Sequence, residues 1–256
     1  MRFRFRLHTL ALVKMLLVCI PLSSEAISIS AFRIYLDSDK PTTSFTIHNP
    51  DIDHQGCELK LAHHNFDENS ELLNVPEGEI PANSASPWIR FSPQKFTLTP
   101  ANSQTIRFTL RKKANAEPAE YRSYLVIDCD AVSAIDNEKR LISIKPKLMH
   151  NVPVIVRNGE LEASIAVANQ KIEGRSLHFS IERSGSRSVF GDVELVHKRT
   201  DEVIASQTGF SIYPESERYF FTLSMKDYQP EDLFIRVTEN IHYGGSLIIE
   251  TDIQAE

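Results

Sequence analysis

Two adjacent histidines, His63 and His64, are the residues of this 256-residue sequence that first invite a metal. Neighbours on an extended strand point to opposite faces, so the pair cannot close on one ion. Asp67-Glu68-Asn69-Ser70-Glu71 has oxygen ligands in plenty but lacks the glycine and spacing of an EF-hand loop, and reads as a solvated loop. The glycines stand apart, at Gly56, Gly78, Gly159, Gly174, Gly185, Gly191, Gly209 and Gly244-Gly245. Neither GxGxxG nor GxxxxGK[ST] runs through them, so the common phosphate-cradling loops are absent. No serine sits in a GxSxG context, and Cys57 and Cys129 carry no catalytic or CxxC signature. No catalytic residue, metal ligand or cofactor is expected.

The start of the chain bears on compartment. Met-Arg-Phe-Arg-Phe-Arg-Leu is basic, and an apolar run from Leu10 to Leu22 follows, interrupted by Lys14 and closed by Pro21. Ser24-Glu25-Ala26 then offers small residues before a cleavage point after Ala26. This order describes a secretory signal peptide over residues 1–26. The run is too short for a membrane anchor, which needs ~20 apolar residues. The mature protein is expected to be exported, with no membrane insertion after signal removal. Loss of Arg2, Arg4, Arg6, Lys14 and Glu25 takes the net charge from −6 to −9, which argues against a nucleic-acid partner. Cys19 leaves with the signal, and the remaining pair, Cys57 and Cys129, implies one disulfide in an oxidising compartment; two buried free thiols are the alternative.

The elements that carry these residues are short and alternating. Strands are expected at Ile27–Leu36, Thr43–His48, Glu58–His63, Gln104–Leu110, Tyr121–Ile127 and Leu141–Val156. They continue at Leu177–Glu182, Asp192–His197, Tyr219–Leu223, Leu233–Val237 and Ser246–Thr251. Turn residues punctuate them, among them Asn49-Pro50-Asp51, Asn158-Gly159 and Ser184-Gly185-Ser186. With 41% hydrophobic residues and no long amphipathic helix, the chain reads as all-β, in two sandwich domains. The boundary is expected at Asn158-Gly159-Glu160, giving an N-terminal domain over 27–157 and a C-terminal one over 158–256. In Tyr219-Phe220-Phe221 the first and third rings share a strand face and are expected in the second core.

Leu141 to Arg157 is long for a strand. Ile142, Ile144, Pro146, Leu148, His150, Val152, Val154 and Val156 make one face, almost continuously apolar; Lys145 and Lys147 place the other in solvent. Pro146 and Pro153 cannot donate ladder hydrogen bonds, which points to an edge strand or a bulge. An apolar edge is an aggregation hazard unless covered. Either the protein's own second sheet covers it, or it is offered to another protein.

At this point the residues resemble a family, the PapD-like periplasmic pilus chaperones. Arg33-Ile-Tyr-Leu-Asp37 followed by Ser44-Phe-Thr-Ile-His-Asn49 is similar to its opening hairpin. Trp88-Ile-Arg90-Phe-Ser-Pro93 resembles its "P-R-I-x-x-L-x-P" region and leads to Leu98-Thr-Pro100. Gln104-Thr-Ile-Arg107-Phe resembles "Q-x-V-R", Glu120-Tyr-Arg122-Ser-Tyr-Leu125 resembles "E-Y-R-S-x-L", and Val152-Pro-Val-Ile-Val-Arg157 resembles the close of the last strand of the N-terminal domain. Glu182 to Asp192 and Gly209 to Pro214 are similar to the archaic branch of the chaperone-usher pathway. The likeness spans residues 27 to about 250, in order.

The resemblance implies two immunoglobulin-like β-sandwich domains in a boomerang arrangement, working in the periplasm. Its partners would be pilus or fimbrial subunit proteins and an outer-membrane usher. A subunit lacking its last strand would be completed by the chaperone's seventh strand, through donor-strand complementation. Ile142, Ile144 and Leu148 map to the donor side chains. The family anchors the subunit's terminal carboxylate with two basic residues in its cleft; the first maps to Arg33, but the lysine falls on Pro153. Arg90, Arg107 and Arg122 are candidates for the second cation, with Arg107 and Arg122 preferred. In an immunoglobulin-like sheet the strand opened by Cys57 runs antiparallel to the one closed by Cys129, which brings the two sulfurs within bridging reach. Two other readings compete, an exported structural surface protein (pilus subunit or adhesin) and a β-sandwich carbohydrate-active enzyme. A subunit should lack the long strand this chain carries, and an enzyme should show clustered acids or a nucleophile.

Overall fold

A computed structural model of the chain describes residues 27–73, 75–76, 78–111, 116–132 and 149–254. The expected signal segment, 1–26, and the expected donor residues Ile142, Ile144 and Leu148 lie outside the described residues. The first half holds β1 (Ser28–Ile29), β2 (Ile34–Leu36), β3 (Thr42–His48), β4 (Gln55–Ala62), β5 (Asn65–Phe66), β6 (Leu72–Leu73), β7 (Ile89–Ser92), β8 (Lys95–Leu98), β9 (Ser103–Leu110), β10 (Ala119–Ala131) and β11 (His150–Asn158). The second holds β12 (Ala163–Glu173), β13 (Ser176–Gly185), β14 (Val189–His197), β15 (Val203–Ile212), β16 (Arg218–Ser224), β17 (Leu233–Glu239) and β18 (Ile248–Asp252). Among the described residues no helix is long and apolar enough to cross a membrane.

Among those residues, the first half packs sheet β1-β3-β9-β7 against sheet β2-β11-β10-β4-β8. The second half packs β12-β13-β16 against β15-β14-β17-β18. Period-two alternation builds each layer: in β9, Ile106 and Phe108 are buried while Thr105, Arg107 and Thr109 face solvent. Two separate apolar cores result. One gathers Leu36, Phe45, Ile47, Trp88, Phe108, Leu125, Val152, Val154 and Val156. The other gathers Leu177, Phe179, Val193, Leu195, Phe210, Phe221 and Ile235. Tyr219 packs against the second core with Phe221, while Phe220 points out, as the sequence predicts.

The expected first strand, Ile27–Leu36, is in fact two. β1 pairs with β3 in one sheet and β2 with β11 in the other, so the chain crosses between layers at Ser30–Arg33. That crossing leaves Phe32 80% exposed and turns Arg33 inward. β11 contributes to the first core through Val152, Val154 and Val156, so this part of the apolar face is covered from within.

Cys57 and Cys129 are direct cross-strand partners of β4 and β10 and form the expected disulfide, with Cα atoms 4.1 Å apart. The bridge ties the middle of the five-stranded sheet, which presents its other face to the second half.

Candidate functional site

Three adjacent strands, β2, β11 and β10, make the floor of the site. Their alternation sends Ile34, Val154 and Leu125 into the first core, and Tyr35 and Ile155 toward the second half. There they meet Tyr213, with Phe66 and Tyr243 packed alongside, in an apolar cluster shared by the two sandwiches.

The clamp beneath this cluster is a buried guanidinium. Arg157, at the end of β11, donates from Nε to Glu120 Oε2 at 2.8 Å, from Nη1 to the Gly244 carbonyl at 2.7 Å and from Nη2 to the Ser188 carbonyl at 3.0 Å. Ser188 N–H in turn donates to Glu120 Oε2 at 3.1 Å. One arginine thus satisfies groups from both halves. Gly244 is required here: its φ is +71°, and a Cβ would stand 2.4 Å from the Tyr35 hydroxyl. Burial, and then the 2.7 Å bond to Asp37, push the Tyr35 phenol up to about 12.

Above the clamp sit two more arginines. Arg33 is 2% exposed, and its Nη2 donates to Ser211 Oγ at 2.8 Å. Its guanidinium lies 4.1 Å from the centre of the Phe190 ring and 5.8 Å from that of Tyr213. Among the described residues it has no carboxylate partner, and its Nε and Nη1 have no hydrogen-bond acceptor. A buried charge with donors to spare calls for an anion. Arg122 is 5% exposed and lies 3.8 Å from the same Tyr213 ring. It is already paired, holding Glu215 through Nη1 and Nη2 and donating from Nη2 to the His64 carbonyl at 2.8 Å; only its Nε is left over. Burial works against its charge, but Glu215 more than offsets that and holds the group above its ordinary value.

The structure therefore brings Arg33 and Arg122 to one place and leaves the other candidates out. Arg107 and Arg90 are exposed on β9 and β7, in the other sheet, beside Leu61 and Phe91. The reason is parity: Arg107 lies between Ile106 and Phe108, which fill the core, so its side chain must turn outward. Neither faces the cleft between the two halves.

Asp67–Glu71 is not a solvated loop. It links β5 to β6 and latches onto the second half: the Glu68 carbonyl accepts from the N–H groups of Glu217 and Arg218 at 2.8 and 3.1 Å. Ser216 Oγ donates to the Asp67 carbonyl, and Ser70 Oγ to that of Arg218, both at 2.8 Å. His63 reaches Ser123 Oγ at 3.4 Å, and the His64 ring meets Tyr124 edge-on; burial lowers the affinity of both imidazoles for a proton.

The last component is an edge. β11 pairs with β10 along Asn158 to His150, but with β2 only at Val154, Ile155 and Val156. On its outer side, His150 to Pro153 have no neighbouring strand among the described residues. Asn151 and Met149 are exposed there.

Comparison with family models finds no match, and neither does comparison with curated proteins. Solved structures are similar at low identity. The class 5 fimbriae chaperone CfaA is 14% identical, covering 88% of this chain and 99% of its own, with a TM-score of 0.48. The Salmonella enterica SafA pilin–SafB chaperone complex is matched at 11% identity, 89% and 96% coverage and a TM-score of 0.48. The CsuC–CsuE pre-assembly complex of the archaic chaperone-usher Csu pili of Acinetobacter baumannii is matched at 10%, with 88% and 97% coverage and a TM-score of 0.48.

Sequence reasoning gave no residue of the second half a role in the cleft. Phe190, Ser211, Tyr213 and Glu215 meet Arg33 and Arg122 only in three dimensions. Tyr213-Pro214 was visible as part of a likeness, but carried no signal of contact with the cleft.

Proposed function

We propose that this protein is a periplasmic chaperone for pilus or fimbrial subunits, which it binds by strand addition and passes to an outer-membrane usher. The observation that carries the reading is Arg33: a buried guanidinium with two unused N–H donors and no carboxylate among the described residues, set beside an unpaired sheet edge. A polypeptide ending in the cleft could give its terminal carboxylate to Arg33 while its backbone extends the sheet along His150–Pro153. Pro153 offers no N–H, so the added strand forgoes one ladder bond there. Arg122 is the second cation, with Nε available and the Nη atoms engaged by Glu215. Ile142, Ile144 and Leu148, immediately upstream in sequence, supply the side chains that fill the subunit's groove. The domains are read as 27–157 for subunit binding and 158–256 for the second sandwich, after a signal peptide over 1–26.

The test is capture of a co-expressed exported subunit. Leu148→Glu is expected to leave the chaperone folded and abolish co-purification, because a carboxylate cannot enter an apolar groove without a large cost. Undiminished capture refutes Leu148 as a donor residue; undiminished capture by Arg33→Ala as well refutes the strand-and-anchor reading.

A further inference from the structure

The register of the sheet places a third group on the anion. Val154 of β11 pairs with Ile34 of β2, and one residue earlier in these parallel strands stand Pro153 and Arg33. On the other side Pro153 pairs with Tyr124 of β10. Arg33, immediately before β2, thus lies in one row with Pro153 and Tyr124, with the proline in the middle and a polar donor on either flank.

Tyr124 is 7% exposed, and its buried hydroxyl makes no hydrogen bond of normal geometry among the described residues, although the Tyr213 phenol stands close by. A buried hydroxyl so weakly satisfied is costly, and here it is accompanied by three unused donor nitrogens, two on Arg33 and one on Arg122. The Arg122 guanidinium lies 5.9 Å from the centre of the Tyr124 ring, and Arg33 and Arg122 both act electrostatically on the phenol. The ring is held in place by the His64 imidazole, with centroids 4.7 Å apart. Burial, and then the neighbouring Tyr213, keep the phenol protonated far above physiological pH, so its O–H remains a donor.

We propose that Tyr124 is a ligand of the anion bound in this cleft, its hydroxyl donating to one carboxylate oxygen while Arg33 Nε and Nη1 hold the other. This rests on the reading that a chain-terminal carboxylate is anchored at Arg33. A neutral donor beside Pro153 then does what a second charge on that strand would otherwise do. It also explains why the row tolerates a proline: the strand that offers neither charge nor N–H has a donor on each side.

The experiment uses the full mature chain and a ten-residue peptide of alternating valine and threonine, with its C-terminus either free or amidated. The parent is expected to prefer the free acid by tenfold or more. Tyr124→Phe, which removes one oxygen and keeps the ring, is expected to reduce that preference by roughly tenfold, the worth of one hydrogen bond to a charged group. Its melting temperature should stay level, because the hydroxyl makes no hydrogen bond of normal geometry in the free protein. A preference retained in Tyr124→Phe but lost in Arg33→Ala overturns the role of Tyr124 and leaves the anchor standing. A preference lost together with a lowered melting temperature makes Tyr124 structural and overturns the proposal too. If the parent binds acid and amide equally, the anchoring reading falls and takes this inference with it.

Discussion

Arg157→Ala removes the clamp between the sandwiches, and the structure sets the size of the effect. The guanidinium makes three hydrogen bonds, to Glu120 and to the carbonyls of Ser188 and Gly244. After truncation Glu120, itself buried, keeps only the Ser188 N–H at Oε2, and its Oε1 has no partner even in the parent. Breaking one side of a buried ion pair costs ~3–5 kcal/mol, because the other charge is left uncompensated. The loss should fall near the top of that range, since the carboxylate has so little else. Trp88, the single tryptophan, packs in the first core, so its fluorescence reports that half, whereas circular dichroism reports both. In urea the two signals of the parent should superimpose. In the variant the fluorescence midpoint should drop, and the signals should separate as the halves uncouple. Adding Glu120→Leu should recover part of the loss, because an apolar side chain needs no partner in that position. A loss below ~1 kcal/mol with superimposed signals would refute the assignment of Arg157 as the clamp.

The disulfide closes a separation of 72 residues, which in the chain-entropy model contributes ~4 kcal/mol; the Cys57→Ser, Cys129→Ser double variant should lose up to that amount in urea unfolding, and an unchanged midpoint would contradict it. Glu239 gives a pH dependence confined to acid. Burial alone would raise its pKa, but Arg187 and the N–H groups of Ser246 and Leu247 more than offset this and hold it below the ordinary carboxylate value. A folded-state pKa that is depressed contributes stability above the unfolded value of ~4.3, lost as pH falls through the folded value. Stability of the parent should therefore decline below about pH 4, and Glu239→Gln should be less stable at neutral pH with a flatter acid limb.

What could be read without the structure was what alternation and local likeness report. β9 shows period-two burial and is legible at once, whereas β10 is buried on both faces from Arg122 to Leu125 and is legible from its run of β-branched, aromatic and apolar residues. β12 was missed because Ala163–Glu173 interleaves small and polar residues that pack only partly, so its apolar period is weak. β2 was merged with β1 because Ile-Ser-Ala-Phe keeps an apolar rhythm across the point where the chain changes sheets. In the cleft, Arg33 was found through a likeness, whereas the choice between Arg107 and Arg122 depended on which face each strand buries. Glu215 and Tyr213 come from the far half, and Tyr124 acquires meaning only from the pairing that sets it across Pro153. Local pattern holds no record of such long-range register.

The central claim is that another protein's strand adds to the open edge of β11. Hydrogen exchange of the protein, free and bound to a co-expressed exported subunit, measures this at the backbone. The amide of Asn151, which shares the outward parity of Pro153 on β11, should become protected in the complex, while those of β18, the outer strand of the second sandwich, stay as they were. A stable complex that leaves the exchange at Asn151 unchanged would contradict strand addition at this edge.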